Sequence, residues 1–179
     1  WGMCVSPDAE CNCAGHLIGL PYSSYRAEVR GMLEAISRAR RPICIFSDNQ
    51  SAVEVMAKLL ENGGRIHDWP KDDGCGDLWE WAGEYLATCA NGQILVRWMP
   101  GHLDAVYAPL RDSAKTQKQW PAEWLAKKRQ DLQHFLQQGG DDRWISGNAG
   151  ADEWAEKGAN LGAPPRHLID NERLATLLS

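Results

Sequence analysis

The chain has 179 residues, 44% hydrophobic and 24% charged, with a net charge of −5. That length suits one well-buried domain and is short for two, and the balance is ordinary for a globular protein. No run approaches the roughly 18 apolar residues of a membrane span, no basic-then-apolar leader opens the chain, and the acidic balance tells only mildly against a nucleic-acid binder, since basic residues can cluster locally.

The expected location is intracellular, in nucleus or cytoplasm. Six cysteines fit that reading. They form no Cys-x-x-Cys pair, and Cys11 and Cys13 have no matching His/Cys cluster, so reduced, structural thiols are expected. Cys4, Cys44 and Cys89 lie among apolar neighbours, where a thiol acts as a small buried hydrophobe.

In chain order, residues 1–6 and 15–20 are short apolar runs around a turn-rich segment, the pattern of an antiparallel hairpin. Residues 24–40 place Val29, Met32, Leu33 and Ile36 at helical spacing, with Ser23 or Ser24 as cap and Pro42 as stop. Residues 43–46 form a compact apolar strand. A helix over 48–62 carries Val53, Met56, Leu59 and Leu60 and stops at Gly63-Gly64. A third helix over 77–90 carries Leu78, Trp81, Tyr85 and Leu86. A strand over 94–98 turns at Pro100-Gly101.

Residues 103–145 are more polar, with an expected helix over 121–138 and a break at Gly139-Gly140. The last helix is expected over 149–160. This order is that of an α/β fold with a mixed sheet flanked by helices. Trp98 and Trp154 are the expected core tryptophans.

Three acids stand at element edges: Glu28 in Tyr-Arg-Ala-Glu, Asp48 in Ile-Phe-Ser-Asp, and Asp152 in Gly-Asn-Ala-Gly-Ala-Asp. His102 lies between the last two, in Met-Pro-Gly-His. Separated carboxylates gathered by folding are what a hard divalent cation such as Mg²⁺ takes in a nuclease. Each acid also has a plainer role open to it: Glu28 as a solvent-facing helix residue, Asp48 as an N-cap, Asp152 as a first-turn acid favoured by the helix dipole. Two basic clusters, Arg26/Arg30/Arg38/Arg40/Arg41 and Lys115/Lys118/Lys127/Lys128/Arg129, read equally well as phosphate contacts or solvated helix faces.

The run around Tyr25-Arg26-Ala27-Glu28, Ile45-Phe46-Ser47-Asp48-Asn49, Val96-Arg97-Trp98-Met99-Pro100-Gly101-His102 and Gly147-Asn148-Ala149-Gly150-Ala151-Asp152 resembles, in order, the motifs of type 1 ribonuclease H domains. The domains attached to non-LTR retrotransposon reverse transcriptases are nearest in flavour. The resemblance implies a ribonuclease H-like domain over 1–162 with a tail over 163–179. It implies endonucleolytic hydrolysis of the RNA strand of an RNA–DNA hybrid with two Mg²⁺ ions, Mn²⁺ being a substitute. Glu28, Asp48 and Asp152 would be the metal carboxylates, and His102 would assist proton transfer or product release. Asn49, Gln50 and Asn148 would contact the RNA 2′-hydroxyls. An upstream reverse transcriptase domain in the same polyprotein is the implied neighbour.

The sequence departs from the family twice. The leading strand, ending in the Asp-Gly-Ser that supplies the family's first catalytic aspartate, does not precede Trp1; the expectation is an N-terminally truncated domain lacking its central strand, poorly active alone. Residues 103–151 also separate His102 from Asp152, far more than in the family, and an insertion over about 104–145 is expected to touch nucleic acid or a neighbouring domain. The alternative is a catalytically degenerate module of the same fold that binds nucleic acid or packs against a polymerase.

Overall fold

A computed structural model describes residues 1–4, 10, 12–15, 17, 23–39, 42–65, 74–88, 93–111 and 120–161. The chain is mixed α/β. A minimal antiparallel hairpin, β1 (Gly2–Met3) with β2 (Cys13–Ala14), comes first. The helix α1 (Ser24–Arg38) starts at Ser23, whose hydroxyl accepts the Arg26 amide at 3.0 Å, satisfying one of the orphan donors of a helix start. The strand β3 (Ile43–Ser47) leads into α2 (Gln50–Glu61), then α3 (Gly76–Leu86) and β4 (Ile94–Trp98). Beyond β4 come a 3-10 turn (Leu103–Ala105), a short α4 (Ala108–Arg111), α5 (Ala122–Gln137) and α6 (Asp142–Asn160).

The main core has a simple cause. Val29, Met32, Leu33 and Ile36 line one face of α1, and each is buried. They meet Ala52, Val53, Met56 and Leu59 of α2 and Leu78, Trp79, Ala82 and Leu86 of α3. All three helices close on Ile43, Ile45, Ile94 and Val96, the residues that alternate onto one face of β3 and β4. Burying one such side chain contributes about 1.5–3 kcal/mol, which outweighs the weak strand signal of so short a sheet.

The strands β3 and β4 are parallel, in register from Ile43↔Ile94 to Ser47↔Trp98. Their C-terminal ends therefore lie side by side, and Asp48 and the 99–102 loop leave the sheet at the same edge, where sites of α/β folds are built. A second cluster packs on Phe46, at the C-terminal end of the other face: Met99, Leu103, Phe135 and Ile145, with Tyr107, Leu132 and Trp144 against it, while Cys44, Leu95 and Arg97 on that face are exposed. Phe46 stacks on Trp144 with ring centroids 4.2 Å apart. The described parts of the segment after His102 thus belong to the packed fold.

The helix α6 crosses from β3 to the hairpin. At Gly2 the approach is backbone to backbone: a Cβ there would collide with the Ala155 amide and lie 2.5 Å from the Ala151 carbonyl. Among the described residues the hairpin and the β3–β4 pair are separate sheets, and no helix is long and apolar enough to cross a membrane.

Several sequence expectations need correction. The hairpin pairs at Cys13–Ala14, one step before the apolar run 15–20, because the Trp1–Gly15 backbone bonds (3.2 Å each way) already close it; residues 16 and 18–20 lie outside the described set. The helix α3 ends at Leu86 rather than near residue 90. The helix α6 starts at Asp142, not Ala149: Asp141 caps it by accepting the Arg143 amide, and burial of Ile145 holds the first turns down. Among the described residues Trp79 is the buried tryptophan, whereas Trp98 is 48% exposed and Trp154 half-buried under the Lys157 amine. Among the described residues Cys75 is the buried thiol, while Cys44 is exposed and Cys4 half-buried; Cys89 lies outside the described residues.

In the first basic cluster Arg26 is not part of a solvated face. Arg26 is 2% exposed and donates to Gly74 O (2.9 Å) and Asp77 Oδ1 (2.6 Å), pinning the first turn of α1 to the start of α3. Arg30 and Arg38 both pair with Glu34. In the second cluster Lys127 and Arg129 are exposed on α5, whereas Lys128 lies beside Trp124 and Asp131. Arg40, Arg41, Lys115 and Lys118 lie outside the described residues.

Candidate carboxylate site

Three elements bring acids to the edge where β3 and β4 end. Glu28 comes from the second turn of α1, whose buried stripe fixes its rotation. Asp48 is the first residue past β3. Asp152 projects from the middle of α6. The plainer roles for two of them fall away locally. Asn49, not Asp48, caps α2, its Oδ1 accepting the Ala52 amide at 3.1 Å. Asp152 is too far into α6 to serve the first-turn dipole, which acts within the terminal turn.

Glu28 and Asp152 both feel Asp48. Burial, then the charge of Asp48, and more weakly that of Asp152, push the Glu28 carboxyl up to about 7; the Ser47 hydroxyl, donating to Oε2 at 3.2 Å, acts against the rise. Burial, then the charges of Asp48 and Asp104, push Asp152 up to about 7 as well. With 48% of its side chain exposed, Asp152 keeps water at hand, and its shift is the softer of the two. Desolvation and like charge both disfavour ionisation of a carboxyl, so these acids exchange protons near neutrality.

Neighbouring groups fix the site's frame. Ser47, itself buried, also accepts the Asn49 amide at 3.1 Å. The Trp98 indole donates to the Asp48 carbonyl at 3.0 Å, which explains why this ring stays at the surface. Gly101 passes so close to Asp48 that a Cβ would strike Oδ2. His102 Nδ1 lies 3.6 Å from Asp152 Oδ2, both side chains about half exposed. His102 takes a left-handed backbone conformation, φ 55°, which costs a non-glycine residue about 1–2 kcal/mol.

Of the residues expected to touch substrate, Asn49 has its side-chain oxygen committed to the α2 cap. Gln50 is exposed and donates to Glu54 Oε1 at 2.9 Å. Asn148 lies half-buried on α6, one turn before Asp152 and on the same side of that helix. Sequence reasoning passed over Ser47 and Asp104. Ser47 precedes Asp48 in a strand-ending Ser-Asp, and Asp104 sits two residues past the loop histidine; those adjacencies were the available signals.

Glu28, Asp48 and Asp152 are the residues that could hold a hard cation. Among the described residues no group of three His, Cys, Asp or Glu side chains is drawn together as a ready metal cage. Like charges hold one another off until something positive comes between them, and a part-buried, oxygen-only set in which the Glu28 and Asp152 carboxyls are pushed up fits a divalent cation that would exchange for protons. Comparison with protein-family models, with curated proteins and with solved structures finds no match for this chain.

Proposed function

We propose that the chain is a ribonuclease H-like nuclease domain that hydrolyses the RNA strand of an RNA–DNA hybrid, with Glu28, Asp48 and Asp152 as its cation-binding carboxylates. The observation that carries the reading is the convergence of these acids, from α1, the end of β3 and the middle of α6, with Glu28 and Asp152 both raised to about 7 by burial and shared charge. The order of the sequence motifs supplies the hybrid as substrate.

Bound Mg²⁺, or Mn²⁺ in its place, would supply Lewis acidity toward an attacking water and the leaving 3′ oxygen. The chain's own groups do the rest. Ser47 holds the Glu28 carboxylate by one oxygen, leaving the other for a ligand. The short Gly101 turn keeps Asp48 in place. His102, within 3.6 Å of Asp152, is set to take or return a proton at the edge of the site. Exposed Lys127 and Arg129 on α5 offer phosphate contacts.

The test is Mg²⁺-dependent cleavage of a hybrid labelled on its RNA strand, with Asp48→Asn as control. The expected result is RNA-strand cleavage above the Asp48→Asn background, abolished by chelation. Equal signals from wild type and Asp48→Asn would overturn the reading; hybrid binding without cleavage would favour the non-catalytic module.

A further inference from the structure

We infer that Trp120 and Trp124 are positioning residues, an aromatic wall that holds the His102 imidazole beside Asp152. The two indoles stack on each other, centroids 4.1 Å apart and 11° from parallel. The His102 ring lies 6.0 Å from Trp120 and 6.3 Å from Trp124, tilted against both, within the range where aromatic rings attract through their quadrupoles. His102 Nδ1 is also 3.6 Å from Asp152 Oδ2.

The arrangement has a physical need behind it. His102 follows Gly101 in a turn, takes a left-handed conformation and leaves half of its side chain exposed. Such a ring would otherwise distribute among its staggered rotamers, only some of which face Asp152. The backbone next to it is anchored: Leu103 is 1% exposed and Ala105 9% exposed, and α5 packs on the 3-10 turn that they form. The stacked pair fixes the ring. Trp124 is in turn steadied by the Lys128 amine, 5.7 Å from its ring centre, and Lys128 is tethered to Asp131 at 3.4 Å.

The segment that lengthens the connection between His102 and Asp152 thereby acquires a task within the site: α5 is the support of the histidine. The catalytic part of this inference rests on the proposed nuclease reading; the structural part does not, and the experiment separates them.

The full chain is prepared with ¹³C-labelled histidine, without metal or nucleic acid, at about pH 8.5, well above the ordinary histidine range. His102→Gln identifies the His102 Hε1 resonance. The expected wild-type resonance is displaced by the indole ring currents; Trp124→Leu moves it toward the free-histidine position, and Trp124→Phe keeps a smaller displacement of the same sign. A folded Trp124→Leu protein with the His102 resonance unmoved would overturn the inference. Should Trp124→Leu lose its cooperative melt, Trp124→Phe reads the same quantity, and an unmoved resonance there overturns it equally. In the hybrid assay, Trp124→Leu is expected to lower kcat roughly tenfold at unchanged KM, as misplacing a catalytic group does, with Trp124→Phe recovering most of the loss. A raised KM at unchanged kcat would overturn the positioning role in favour of direct substrate contact by α5. Absence of cleavage in wild type would remove the nuclease reading, leaving the resonance to decide the positioning.

Discussion

The Ser47 hydroxyl donates to Glu28 Oε2 at 3.2 Å and accepts the Asn49 amide at 3.1 Å, so one side chain joins α1 to the end of β3 and the start of α2. Ser47→Ala removes a bond that favours ionised Glu28. The Glu28 carboxyl should then titrate above about 7, and stability should fall by about 1 kcal/mol. Carboxyl ¹³C titration checks this; a Glu28 midpoint unmoved by the substitution would count against the assigned bond.

Glu28 also makes stability depend on pH. Its folded value of about 7 stands above its ordinary 4.5, so the folded state holds the proton more tightly. Stability therefore declines as pH rises from about 4.5 to about 7, and the full penalty, on the order of 3 kcal/mol, is present above that. Glu28→Gln should raise the melting temperature by several degrees at pH 8 and give no gain at pH 4.5. A uniform shift at both pH values would contradict the linkage. Asp152 acts in the same direction, with solvent screening its part.

The Arg26–Asp77 pair offers a test of the fold that positions Glu28. Arg26 is 2% exposed, while the Asp77 side chain is 62% exposed. Removing the acid strands a buried charge, whereas removing the arginine releases a carboxylate into water. Asp77→Ala should thus cost more, roughly 3 kcal/mol, than Arg26→Met. Urea denaturation of the two variants measures the order, and the reverse order would refute it.

Gly101 probes the site without removing a carboxylate. A Cβ at this position meets Asp48 Cγ at 3.0 Å and its Cβ at 3.1 Å, and strikes Oδ2. Gly101→Ala should turn the Asp48 side chain and weaken Mn²⁺ binding roughly tenfold, with the cooperative melt retained. Unchanged affinity would show that Asp48 has freedom to spare.

Much of this was legible in the sequence. The stripe Val29, Met32, Leu33, Ile36 and the alternating Ile43, Ile45, Ile94 and Val96 of the two apolar runs carry their periodicity openly, because one core takes these residues. The start of α6 was hidden: Gly147-Asn148 stands just before the expected start at residue 149, but the Asp141 cap and burial of Ile145 begin the helix earlier. Trp98 was hidden because indoles are usually buried for their area, and this one is held outward by its bond to the Asp48 carbonyl. Asp48 itself was ambiguous between cap and ligand until Asn49 was found capping α2. The Trp120–Trp124–His102 contact could not be read at all, since nothing in local pattern says where α5 lands.

The claim that Glu28, Asp48 and Asp152 form one cation site is tested most directly by Mn²⁺ binding at pH 8, read from the EPR signal of the free ion, for wild type and Asp48→Asn. The account predicts saturable binding to wild type, displaced by Mg²⁺, and at least roughly tenfold weaker in Asp48→Asn, because losing a charged ligand weakens such sites. Equal binding by the two proteins, or none by either, would contradict it.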